Sequence, residues 1–248
     1  MTETDTSTNF ETRAELPTNE PTLVEGLPGL GMVASIAVDQ ITTQLELRHC
    51  GTITSNDFPP VTSFADGRVR DTVRVYAGDD PAVMTLQSDV PIPPSAVESL
   101  SHSVLTDLAT EFDRAVFLAG APAESEKNRG DVIGVATTDD LEADIVDSGI
   151  TLAEGVGVIG GVTGALLDDC YHAEIPAAVL IVKAHPFIPD PGAAREVIEN
   201  ALEPLVEFDI DTQELLEQAE EIQRQKQQIA TQLKEYQDQG QQAQGMYQ

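Results

Sequence analysis

Thr22-Leu23-Val24-Glu25-Gly26-Leu27-Pro28-Gly29-Leu30-Gly31-Met32-Val33 decides how this chain is read. Residues 22–25 read as a short strand, and the glycines and proline of 26–31 stop it in a tight loop. From residue 32 to 47 the apolar positions Val33, Ile36, Ala37, Ile41 and Leu45 fall on one face at helical spacing. Strand, glycine loop and helix follow one another directly, the opening of an α/β domain.

The same alternation continues downstream. Strands are predicted over 52–55, 82–87, 115–119, 132–137 and 177–183, and 115–119 is apolar throughout, as a strand covered on both faces should be. A hairpin is predicted over 61–77, turning at Asp66-Gly67. Ser95, with Glu98 three residues on, forms a capping box for a helix running to about Glu111. Further helices are predicted over 139–147, from the glycine cluster at 155–164 to His172, and over 193–207, the last after the rigid Pro186, Pro189 and Pro191 loop. Strands alternating with helices predict a mostly parallel sheet, with the hairpin adding antiparallel pairing at one edge.

Around this domain, 21–208, lie three segments of different composition. Residues 1–20 are Thr-, Glu- and Asn-rich and read as a disordered lead-in. Residues 209–239 contain neither Pro nor Gly, and Leu215, Ile222, Ile229 and Tyr236 recur every seventh position, the pattern of a helical stalk with a thin apolar seam. Residues 240–248 read as a flexible tip.

Thirteen basic against 43 acidic residues give a formal net charge of −30. Dispersed charge of this size is tolerable where salt shortens the screening length, so the composition predicts a cytoplasmic protein of a high-salt organism, the alternative being an acidic protein that binds a basic partner. It disfavours nucleic-acid binding, which needs a basic patch. No apolar run is long enough to span a bilayer, and the first residues lack signal-peptide character.

Candidate chemistry is sparse. Gly26, Pro28, Gly29 and Gly31 lie where a phosphate cradle would, but the spacing is neither a dinucleotide fingerprint nor a P-loop. A tight turn that packs helix against sheet is the better reading. Gly157, Gly160 and Gly161, with Gly155 and Gly164, read as close-packing positions for want of any cation among them. His49, His102, His172 and His185 share no ligand spacing, and Ser88-Asp89 reads as a turn cap at a strand end. Cys50 and Cys170 read as buried thiols. Neither a catalytic group nor a cofactor nor a metal site is expected. The alternative is a nucleotide-dependent enzyme, an ATP-grasp-like ligase or a phosphorylase-like transferase, with its site at the glycine loops.

The sharpest feature is the ending Met246-Tyr247-Gln248. A hydrophobic residue, a tyrosine and any residue before a free carboxylate is the docking signature of proteasome activators and assembly factors. The globular part also resembles a family. Residues 25–33, Leu118-Ala119-Gly120, residues 157–161, and the run from Ala178 to Ala194 with Pro189-Asp190-Pro191 resemble, in order, the motifs of archaeal and bacterial relatives of proteasome assembly chaperone two. That resemblance covers about residues 21–207. It implies a three-layer α/β/α domain similar to the nucleoside-phosphorylase fold, homo-oligomers, promotion of proteasome α-ring assembly, and insertion of the tail between neighbouring α subunits of the core proteasome.

Overall fold

A computed structural model describes residues 8–17 and 19–225. Its centre is the unit predicted first: β2 (Thr22–Gly26), a glycine loop, and α1 (Val33–Gln44). Around it, β1 (Thr8–Thr12), β3 (Arg48–Ser55), β6 (Val73–Asp79), β7 (Ala82–Ser88), β8 (Arg114–Pro122), β9 (Val132–Ala136), β10 (Thr151–Leu152) and β11 (Ala177–Ala184) complete a nine-stranded sheet in the order β1-β3-β6-β7-β2-β8-β11-β9-β10. β4 (Ser63–Ala65) and β5 (Arg68–Arg70) pair only with each other, as a separate two-stranded flap.

The sheet is mixed, which corrects the expectation of a mostly parallel one. β7-β2, β2-β8, β8-β11 and β10-β9 run parallel, whereas β1-β3, β3-β6, β6-β7 and β11-β9 run antiparallel. For β6 and β7 the physical reason is their short connection, which can join only antiparallel neighbours. The predicted hairpin at 61–77 also divides: its turn at Asp66-Gly67 makes the flap, while β6 joins the main sheet between β3 and β7.

Residues 8–12 were expected outside the fold. They form an edge strand instead, with the Phe10 ring over Gly51 and Thr8 Oγ1 donating to Ser55 Oγ at 2.8 Å.

Successive side chains of the central strands point to opposite faces. Leu23, Ala115, Phe117, Ala177 and Val179 pack with α2 (Val97–Ser103), the π-helical turn Val104–Leu108 and α4 (Gly161–His172). Val24, Val116, Leu118, Ala178 and Leu180 pack with α1, α3 (Asp139–Asp147), α5 (Pro191–Val197) and α6 (Glu203–Val206). Each fully buried Leu, Val or Phe contributes about 1.5–3 kcal/mol, so this two-sided slab holds the fold together. Under α1, Thr42, Thr85 and Gln87 form a buried polar cluster: Gln87 Nε2 donates to Thr42 Oγ1 at 2.6 Å and to the Val38 carbonyl at 3.2 Å.

Ser95 does not cap α2; a 3₁₀ turn at Pro94–Ala96 leads into that helix with no side-chain cap. Thr138 caps α3 and Asp190 caps α5, each accepting from a backbone N–H. Beyond Phe208 the chain is helical over 213–225, with Leu215 buried against the body. The rest of the predicted stalk and the tip lie outside the described residues.

Candidate functional site

The parallel strands β2, β8 and β11 send their C-terminal ends to one edge of the sheet, and the loops singled out by sequence gather there. Leu27, Pro28, Gly29 and Leu30 form one wall of a cleft of about 320 Å³; the end of β8 from Leu118 to Ala121 forms another; Val158 to Thr163, leading into α4, forms the third.

Two buried carboxyl groups tie these loops together. Glu25 is fully buried at the end of β2. Its Oε1 accepts the Leu27 N–H at 2.7 Å, and its Oε2 accepts the Leu118 N–H and the Thr163 hydroxyl, each at 3.4 Å. One side chain thus joins all three walls of the cleft. Burial pushes its pKa up to about 7, against the opposing pull of those three donors. Thr163 can reverse its role: it donates to the carboxylate and accepts from the neutral acid.

Asp190 is the second clip. It accepts from Arg129 Nη2 at 2.8 Å, the His185 N–H at 2.8 Å and the Ala193 N–H at 3.1 Å, while its own N–H donates to the Gly31 carbonyl at 2.8 Å. Burial opposes its ionisation, but Arg129 and the two amides outweigh it and hold the carboxyl below the usual aspartate range. Asp190 stands at the N-cap of α5 with Pro191 in the first turn, a favourable start for a helix. Pro189 precedes them in the same loop.

The first glycine loop is crowded at its two ends, Gly26 against Val38 and Gly31 against Ala184, while Gly29 between them is exposed with nothing within 4 Å of an added Cβ. Gly31 has φ 66°, and a Cβ there would stand 2.9 Å from Ala184 Cβ. A Cβ on Gly120 would overlap the Leu30 carbonyl, so glycine is what lets the loop lie on the end of β8.

The second glycine cluster is different, and the expectation of close packing fails there. A Cβ added at Gly155, Gly157, Gly160 or Gly161 would meet nothing within 4 Å; Gly164 alone is crowded, against the Ile159 carbonyl. Val156 and Val158 between them are 102% and 96% exposed. Beside this segment, α4 and the β9-β10 edge bound an apolar groove of about 550 Å³.

The remaining candidates resolve simply. Ser88 makes a local turn, donating to the Val90 carbonyl and accepting the Val90 N–H. Asp89 accepts from both Arg70 and Arg74. Cys50 and Cys170 are buried, and burial raises the Cys170 thiol to about 12, which keeps it unreactive near neutrality. Among the described residues no three His, Cys, Asp or Glu side chains form a metal-binding group, and no helix is long and apolar enough to cross a membrane. Met246, Tyr247 and Gln248 lie outside the described residues.

Sequence reasoning singled out the glycines and Asp190 but missed Glu25 and Arg129 as site residues. Glu25 carried a signal, an acid inside an otherwise uncharged strand. Arg129 carried none, being 61 residues from its partner in the chain.

The uncharacterized protein MJ0106 of Methanocaldococcus jannaschii is 28% identical over 228 residues, covering 91% of this chain and 92% of that protein. The crystal structure of Pyrococcus furiosus PbaA, described as an archaeal homolog of proteasome-assembly chaperone, superposes with a TM-score of 0.81 at 24% identity, covering 97% of this chain and 100% of the other. That of Pyrococcus furiosus PbaB, described as an archaeal proteasome activator, does so with a TM-score of 0.80 at 19% identity, over 91% and 99%. The PAC2 family model matches residues 23–230, most of the sequence, and the chain belongs to the PAC2 family.

Proposed function

We propose that this protein is a proteasome assembly chaperone that acts as a homo-oligomer and binds core proteasome α subunits through Met246-Tyr247-Gln248. The observation that carries this reading is the presence, in one sequence, of a PAC2 domain and a hydrophobic-Tyr-X ending. The descriptions of PbaA and PbaB, whose fold this chain shares, point the same way. The tail chemistry suits a pocket between ring subunits. A terminal carboxylate pairs with a lysine at the mouth, the tyrosine buries its ring and keeps a hydroxyl for a hydrogen bond, and Met246 fills irregular space beside it. A single such peptide binds weakly, but several tails on one oligomer raise avidity by about 10²–10⁴.

The body then serves as a rigid carrier, a cytoplasmic three-layer α/β/α scaffold with no catalytic step of its own. The acidic composition fits a high-salt cytoplasm, so the melting midpoint is expected to rise markedly between about 0.1 M and 1 M salt, over which the Debye length falls from ~10 Å to ~3 Å. A midpoint independent of salt contradicts that adaptation.

The direct test of the chaperone reading is the rate of ring formation by purified α subunits in molar salt. Added protein should accelerate it or raise its yield, and no effect at any ratio contradicts the proposal. One observation favours the enzyme alternative: the cleft lies at the C-terminal ends of parallel strands, where α/β proteins bind ligands. Its lining has no cation to hold a phosphate, and the Glu25 carboxyl joining its walls would repel one when ionised. A nucleotide that raises the melting midpoint would reopen that alternative.

A further inference from the structure

Glu25 is an ionisable group placed where ionisation is costly. It alternates with Leu23 along β2, so its side chain enters the core on the α4 face of the sheet, where it is fully buried. β7 and β8 set Leu86 and Phe117 beside it. The elements covering that face carry Glu98 and His102 on α2, Asp107 on the π-helical turn, and Asp168, Asp169, Cys170, Tyr171 and His172 on α4. Those of α4 stand five or more residues beyond Thr163, at least about 7.5 Å along the helix. Lys183 is on the same face of β11, two strands over and four residues past Val179, the β11 residue level with Glu25. None of these groups sets where Glu25 titrates; burial and its three hydrogen bonds do.

The two protonation states of this carboxyl have different needs. The neutral acid accepts the Leu27 N–H and can give its own proton to Thr163 Oγ1, so both of its oxygens are satisfied inside the protein. The carboxylate can only accept. It has one close donor, the Leu27 N–H at 2.7 Å, and two at 3.4 Å, the Leu118 N–H and the Thr163 hydroxyl. A buried charge with so few close donors and no cation is relieved by water.

Water has one weak wall to pass, residues 154–162. Among the described residues no hydrogen bond joins this segment to the rest of the body; it is held at its two ends, where the Ala153 N–H donates to the Gly134 carbonyl at 2.9 Å and Thr163 donates to Glu25. Gly155 and Gly161, at φ 79° and 70°, stand near those ends with open space around them. Ile159 and Val162 are its residues packed against the core, and both are only partly buried. Val158 and Ile159 line the cleft of about 320 Å³ on one side and the groove of about 550 Å³ on the other, so the segment is the partition between two cavities.

We propose that residues 154–162 are a pH-operated gate latched by Glu25 through Thr163: the neutral carboxyl holds the gate shut, and its ionisation swings the segment away, admits water to the carboxylate and joins the cleft to the groove. The two glycines supply the backbone freedom for the swing. The gate is independent of the docking reading above and stands or falls without it.

The test is hydrogen–deuterium exchange of the full chain in molar salt at pH 6 and pH 8, read by mass spectrometry on peptides covering 154–168 and corrected for intrinsic exchange with the same peptides in the denatured chain. With a closed value of about 7 and an open value of 4.5, the opening constant should rise about tenfold between the two pH values. Peptides from β2 and β8 should keep their protection over that range. Glu25→Gln should abolish the rise, since the amide stays neutral. Thr163→Val, which keeps the acid and removes the latch hydroxyl, should expose the segment already at pH 6, and it serves where the glutamine variant does not fold. Protection of 154–168 that is the same at both pH values in the unaltered chain overturns the gate. So does a loss shared equally by β2 and β8, which is general destabilisation, and so does a rise in Glu25→Gln equal to that of the unaltered chain.

Discussion

Two glycine-rich segments border the same cleft, yet they are opposite kinds of structure. Residues 26–31 are locked from both ends, by Glu25 to β8 and α4, and by Asp190 to Gly31 and Arg129. Residues 155–161 have open space at Gly155, Gly157, Gly160 and Gly161 and fully exposed valines between them. The lesson is that glycine content alone does not say what a loop is for. In the first loop glycine admits backbone into a crowded junction. In the second it leaves the backbone bare beside an apolar groove. The first holds the body together; the second is surface.

The largest expected effect breaks the locked loop. Asp190→Ala leaves the Arg129 guanidinium without its buried partner and uncaps α5, so it should cost about 3–5 kcal/mol. Urea denaturation measures this directly, and a loss under 1 kcal/mol would mean that the loop is held by something other than its clip.

Glu25 gives the next effect, visible as pH dependence. Its folded pKa, about 7, lies above the ordinary glutamate value of 4.5. The folded state therefore holds the proton more tightly, and this group's contribution is full below the unfolded value and lost as pH rises towards 7. The loss amounts to about 3 kcal/mol at most. Asp39 and Glu203, also raised, add slope of the same sign, so the comparison with a variant isolates Glu25. Between pH 5 and 7 the stability of Glu25→Gln should fall less steeply than that of the unaltered chain. Parallel curves would show that the carboxyl stays ionised throughout.

The smallest effect belongs to the open segment. Gly157→Ala adds a methyl group to empty space without a positive φ, so stability should change by no more than about 0.5 kcal/mol. A loss of several kcal/mol would erase the contrast between the two loops.

Much of the fold was legible in the sequence. The unit from β2 through the glycine loop to α1 could be read directly, because the 3.6-residue period of Val33 to Leu45 marks a helix and the glycines and proline before it stop the preceding strand. The buried strands β8 and β11 were legible as continuous apolar runs. Strand direction was not: the Val-Ile-Gly-Val-Ala run of β9 looks the same whether its neighbour β11 runs with it or against it. The edge strand β1 escaped notice because only Phe10 covers the sheet there, and one aromatic residue among polar ones does not make a period. In the site, Asp190 was legible only as part of the Pro189-Asp190-Pro191 motif, its capping role was not, and neither was its long-range partner Arg129. The packing difference between the two glycine clusters depends on what lies across from each Cα, which no local pattern records.

The account rests most heavily on the tail, and its direct measurement is capture of α subunits by the tagged, full-length protein in molar salt. Three variants are compared with the unaltered chain: Tyr247→Ala, deletion of residues 246–248, and extension by a few residues past Gln248. All three should keep the melting midpoint and the oligomer, since none alters a described residue. All three should lose most of the captured α subunits, the extension because it moves the carboxylate away from its lysine. Capture by all three variants equal to that of the unaltered chain would contradict the docking mechanism.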